Sequence, residues 1–88
     1  MEKYVRIWAK VTRDGKVAND IMYSGEMFYD EDSFHAALRD ICDKLDIPTP
    51  VVLPQHFNNF IRFHNARFYP SDFVESFSYD MFIVEDCN

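Results

Sequence analysis

A chain of 88 residues with 48% hydrophobic and 17% aromatic side chains is expected to form one domain over residues 1–88, because so short a chain cannot divide its buried surface between two cores. That composition excludes an intrinsically disordered protein, and a net charge of −6 argues against general duplex DNA binding, which needs a cationic surface against phosphate. The longest unbroken apolar run, Met81 to Val84, is far too short to span a membrane.

Residues 4–12 alternate strictly, with Val5, Ile7, Ala9 and Val11 on one face and Tyr4, Arg6, Trp8 and Lys10 on the other. This is a strand pattern. Asp14-Gly15 then signals a hairpin, and its register follows from which loop keeps apolar residues together. A two-residue loop would set Ala9 against Asp20 and Val5 against Ser24. A three-residue loop of Arg13, Asp14 and a left-handed Gly15 sets Val11 against Val17, Ile7 against Ile21 and Val5 against Tyr23, and it is the register expected here.

From Asp30 the period becomes helical, with Phe34, Ala37, Leu38, Ile41, Cys42 and Leu45 on one face. Asp30, Glu31, Asp32 and Ser33 supply a cap and the negative charge that a helix N-terminus favours. Three prolines between Ile47 and Pro54 read as an extended connector, with Val51 to Leu53 a short edge strand. Pro54 suits the first turn of a second helix, whose apolar side is read as Leu53, Phe57, Phe60, Ile61 and His64. Asn65 to Glu75 reads as irregular, with Pro70-Ser71-Asp72 a turn or single helical turn and Phe68, Tyr69 and Phe73 pinning it to the core. Phe77 to Glu85 reads as the closing strand, with Phe77, Tyr79, Met81 and Ile83 on one face and Ser78, Asp80, Phe82 and Val84 on the other.

The expected architecture is therefore α+β: a three-stranded, mainly antiparallel sheet in the order strand, strand, helix, helix, strand. Both helices pack on the Val5-Ile7-Val11 face, and the last strand lies beside the first. The other face would be bare and show Tyr4, Arg6, Trp8, Met22, Phe82 and Val84. A patch so rich in aromatic and large apolar groups marks an interaction surface, and the first candidate for its partner is a second copy of the chain, the next another protein. The competing expectation is that the C-terminal residues or the segment 65–75 fold over it.

The second candidate surface lies in the stretch from Ile47 to Ser71, which holds no carboxylate in an acidic chain. There His56, Asn59, Phe63 and Arg67 form a stripe combining an imidazole, an amide, an aromatic ring and a cation. Such a set suits single-stranded RNA or a phosphorylated small ligand. The competing expectation packs Phe63 under the loop and pairs Arg67 with Asp72 or Glu75.

Nothing else assembles into a reaction centre. His56 and His64 are eight residues apart and cannot share an ion, so no metal is expected. Cys42 falls on the buried stripe of the first helix and Cys87 next to the chain end, so neither is placed as a nucleophile. The carboxylates cluster without an apolar pocket to separate their pKa values, and two glycines are too few for a phosphate-cradling loop. A non-enzymatic protein without cofactors is the expectation. Widely spaced cysteines and the charged alternation from Glu2 to Lys10, which builds no signal peptide, point to the cytoplasm.

The opening Tyr-Val-Arg-Ile-Trp-Ala-Lys-Val, the helix Phe-His-Ala-Ala-Leu-Arg-Asp-Ile-Cys-Asp-Lys-Leu-Asp-Ile-Pro-Thr-Pro and the late Phe-Tyr-Pro-Ser-Asp-Phe-Val-Glu together resemble a group of short uncharacterised Firmicutes proteins. The resemblance implies a stand-alone cytoplasmic bacterial domain and carries no activity.

Overall fold

The computed structural model describes residues 4–26 and 30–87. The described elements run β1 (Tyr4–Arg13), β2 (Lys16–Glu26), α1 (Glu31–Leu45), α2 (Pro54–Phe63), β3 (Asn65–Phe68), a 3-10 turn (Pro70–Asp72) and β4 (Met81–Asp86). They form an α+β fold whose antiparallel sheet has four strands in the order β2-β1-β4-β3. The last strand lies beside the first, as expected. The fourth strand is the short β3, in a stretch expected to be irregular.

The hairpin reaches its register by a different route from the one predicted. Asp14 and Gly15 both take positive φ, 55° and 77°, so the loop is the two-residue turn whose twist matches the strands it joins. Arg13 then pairs with Lys16 and Thr12 with Val17, but Val11 pairs with Asn19. The extra residue, Ala18, makes a bulge that restores the parity lost by the shorter loop. Ile7 therefore faces Tyr23 and Ala9 faces Ile21, so Ile21 and Tyr23 reach the core face as predicted with each partner displaced by two positions, whereas Val17 pairs with Thr12 and stays exposed.

One cluster holds the core. Val5, Ile7, Ala9 and Val11 meet Phe34, Leu38, Ile41 and Cys42 of α1, Phe60 of α2, Ala66 and Phe68 of β3, and Phe82 and Val84 of β4. Both helices thus lie on the Val5-Ile7-Val11 side. The placement of Phe82 and Val84 on the bare face is corrected: Ala9 pairs with Val84 and Val11 with Phe82, and both β4 residues are fully buried. The cause is a bend before the strand, where the Asp80 N–H donates to the Thr12 carbonyl at 2.8 Å and the Asp80 carboxylate accepts from the Asp14 N–H at 2.6 Å. Phe77 and Tyr79 reach the core from that loop, so the alternation they begin does not continue into β4.

Helix α2 turns the predicted Phe57 and Phe60 to the core, but His56 rather than Ile61 and His64 completes its buried side. His56 and Phe60 are its buried residues, while Ile61 and His64 are exposed and Leu53 largely so. His64 is the left-handed residue that ends the helix, at φ 65°. Val51 to Leu53 is not a strand; the Val51 N–H donates to the Asp72 carbonyl at 2.7 Å. Pro70 to Asp72 forms the single helical turn, and Phe68 and Phe73 pin the segment to the core while Tyr69 stays out.

Candidate functional site

Two surfaces carry the candidate residues. The first is the outer face of the sheet. Tyr4, Arg6, Trp8 and Lys10 project there from β1, Met22 and Asp20 beside them from β2, and Met81, Ile83 and Glu85 from β4. Tyr4, Arg6 and Met22 are exposed and Trp8, Lys10, Met81 and Ile83 half-buried. The segment 65–75 does not fold over this face: its first four residues extend the sheet, and Phe73 turns into the core on the helix side.

Trp8 is held in place by its strand neighbours. Its indole Nε1 donates to Asp20 Oδ2 at 2.7 Å, and Lys10 Nζ lies 3.8 Å from the ring centroid while pairing with Glu85 Oε1 at 2.9 Å. The ring is thus fixed by a hydrogen bond at its edge and a cation over its face. Neither Lys10, Asp20 nor Glu85 was singled out as a partner of Trp8 from the sequence, although charges directly across neighbouring strands are the expected arrangement once the register is known.

The second surface is a groove between α2 and β3. Asn59 and Phe63 line it from the helix, and Asn65, Ala66, Arg67 and Tyr69 from the strand side, enclosing about 400 Å³. Three of the four stripe residues therefore converge. Phe63 is 59% exposed rather than packed under the loop, and among the described residues the Arg67 guanidinium has no ion-pair partner. Neither Asp72 nor Glu75, the two expected partners, pairs with it; Asp72 instead accepts the Tyr69 N–H at 2.8 Å. Asn65 and Tyr69 were missed, yet the alternation Asn65-Ala66-Arg67-Phe68 is a period-two signal that four residues make too short to separate from a loop.

His56 is withdrawn from this site. Its ring is buried 4.3 Å from the Phe68 ring centroid, its Nδ1 accepts the Leu53 N–H at 2.9 Å, and its Nε2 stands 3.8 Å from Asp72 Oδ2. Because Nδ1 is the acceptor, the neutral ring carries its proton on Nε2, facing that carboxylate. Burial holds the His56 pKa below its ordinary value, and the Asp72 charge opposes that shift in part. His56 thus works as the cap of α2, where a Leu in the N-cap position has no oxygen to offer.

Burial pushes the Cys42 thiol up to about 12, far from the thiolate that nucleophilic chemistry needs. Among the described residues no three His, Cys, Asp or Glu side chains gather as metal ligands, and no helix is long and apolar enough to cross a membrane. No protein-family model, curated protein or solved structure matches the chain.

Proposed function

We propose that the chain is a non-enzymatic cytoplasmic binding and assembly module that pairs with a second copy of itself through the outer face of the sheet. The observation that carries this reading is the content of that face: Trp8, Met22 and Ile83 lie on a layer with both helices on its other side. A small monomer seldom leaves such a set without cover. Its charge favours a copy over another acidic partner. Arg6, Lys10 and Arg67 balance Asp20, Glu26 and Glu85 on this face, three against three, although the chain as a whole carries −6. Two copies meeting here bring together neutral, mixed-sign patches and keep the excess acid apart.

The area is adequate and no more. Four strands about 4.8 Å apart with roughly 25 Å of strand length cover on the order of 500 Å² in projection, toward the low end of what each partner buries in a specific complex. Such a dimer forms and dissociates readily. Two free cysteines, one buried and one exposed, suit the reducing compartment assigned to it.

Sedimentation across a concentration series tests the reading. Wild type should shift from monomer to dimer, and Trp8→Ser should stay monomeric with an unchanged circular dichroism spectrum. Wild type that remains monomeric at the highest concentration ends the proposal.

A further inference from the structure

The groove beside β3 has a different chemistry from the sheet face, and its free strand edge adds to it. The Asp86 N–H donates to the His64 carbonyl at 2.8 Å, so in the β3–β4 ladder His64, Ala66 and Phe68 use their backbone groups toward β4. By the alternation of antiparallel pairing, the N–H and C=O of Asn65 and Arg67 point the other way, to the free edge. Both residues line the groove. Asn65 Nδ2 already donates to the Phe63 carbonyl at 3.2 Å, which leaves the amide oxygen as an acceptor.

We propose that this groove binds a mononucleotide, a phosphate ester carrying a flat aromatic base. Arg67 is the phosphate group's partner: a guanidinium presents a fork of donors that matches phosphate oxygens, and no carboxylate lines the groove to compete for it. Phe63 and Tyr69, 59% and 47% exposed, offer the aromatic faces on which a base stacks. The Asn59 and Asn65 amides and the free backbone edge supply the donors and acceptors that a base edge requires. Arg62 stands 5.4 Å from the Phe63 ring centroid and adds positive potential at the helix end.

Size and charge select a single nucleotide over a strand of RNA. A volume of about 400 Å³ falls in the range of small-ligand sites, roughly 300–1,000 Å³. Arg67, the one arginine among the lining residues, matches one phosphate, whereas a polyanion needs a cationic track long enough to outweigh a chain at −6. The two proposals meet at β3, where Asn65 and Arg67 pair with Glu85 and Ile83 of the outer face, whereas Phe63 belongs to α2 on the other side of the sheet, so the Phe63 variant separates them.

Amide-resolved NMR titration of the intact chain with AMP, GMP, CMP and UMP tests it, alongside adenosine and inorganic phosphate as separate probes. At least one nucleotide should saturate, with the shifts centred on residues 59–69, and should bind about tenfold more tightly than its nucleoside or phosphate alone, the scale of one charge-assisted contact. Arg67→Gln should remove that tenfold advantage while leaving nucleoside binding unchanged. Phe63→Ala should weaken nucleotide and nucleoside together and leave the oligomeric state as in wild type. Both side chains are exposed, and unshifted resonances elsewhere confirm the fold of each variant. The proposal is overturned by the absence of saturable binding at millimolar nucleotide, by equal affinity for nucleotide and nucleoside, or by affinity that climbs with oligoribonucleotide length.

Discussion

The two helices divide the work of the molecule unequally. Helix α1 has fifteen residues, and Phe34, Ala37, Leu38, Ile41, Cys42 and Leu45 are all buried along one face. Its first turn is closed reciprocally, with the Ser33 N–H donating to Asp30 Oδ1 at 2.9 Å and the Asp30 N–H donating to Ser33 Oγ at 3.2 Å. The Ser33 N–H, and after it the Ser33 hydroxyl, hold the Asp30 carboxyl below its usual range. Helix α2 has ten residues, buries His56 and Phe60, and borrows an imidazole for its cap. Its Ile61 and Phe63 remain in solvent. Core packing accounts for every large apolar residue of α1 and for only part of α2. What it leaves over in α2 lies next to Arg67, which has no ion-pair partner among the described residues, and surplus apolar surface beside such a charge is where a ligand finds both kinds of contact.

The largest test of that contrast lies in α1. Phe34 is fully buried, with the rings of Phe57 and Phe60 centred 5.5 and 5.4 Å away. Phe34→Ala should cost about 3–5 kcal/mol in urea unfolding. A domain of this size has on the order of 5–15 kcal/mol in all, so the variant should be close to unfolding at room temperature. A loss below about 1 kcal/mol would mean that α1 is not the strut described.

The middle of the range belongs to His56. Replacing it by Ala removes the acceptor for the Leu53 N–H and the ring packed on Phe68, and should cost about 2 kcal/mol. Its titration adds a sign that can be checked. With the folded pKa below 6.5, the unfolded chain takes up the proton first, so this residue's share of stability is complete above pH 6.5 and is lost as pH falls through the folded value. NMR titration of the imidazole should give a midpoint below 6.5. Asp72→Asn should lower it further, because the carboxylate is what favours the charged ring. A midpoint at or above the ordinary value would remove the imidazole from the core.

These residues also mark how far the sequence could be read. The first strand and α1 were legible because each repeats one period long enough to admit a single face. The hairpin parity was legible for the same reason, but the bulge at Ala18 was not, since a short turn with a bulge and a longer turn without one both place Ile21 and Tyr23 inward. The side of β4 was misread because Phe77 and Tyr79 belong to a bend anchored by Asp80, and alternation counted across a bend carries the wrong parity. The sheet-face site therefore kept Tyr4, Arg6, Trp8 and Met22 and lost Phe82 and Val84. The groove kept Asn59, Phe63 and Arg67 and lost His56. The apolar residues of α2, Phe57, Phe60, Ile61 and Phe63, spread over about half its circumference, so which of them is buried depends on what the rest of the fold presents. There Phe68 and the orphan Leu53 N–H select a histidine over Ile61, a preference no periodicity contains.

The smallest expected effect sharpens the contrast most, because it uses one residue type in both helices. Ile41 is fully buried in α1 and Ile61 is 51% exposed in α2. Ile41→Ser should cost several kcal/mol, through the lost burial and a hydroxyl without a partner. Ile61→Ser should stay within about 0.5 kcal/mol, as surface substitutions do, and in helix propensity Ser and Ile are close. Should Ile61→Ser instead cost as much as a core substitution at dilute concentration, something in the folded chain covers that side of α2, and the surplus apolar surface assigned to the helix would belong to the core. If the cost is small when the protein is dilute and grows as it is concentrated, the cover comes from a neighbouring molecule, and α2 rather than the outer sheet face would be the seam between copies.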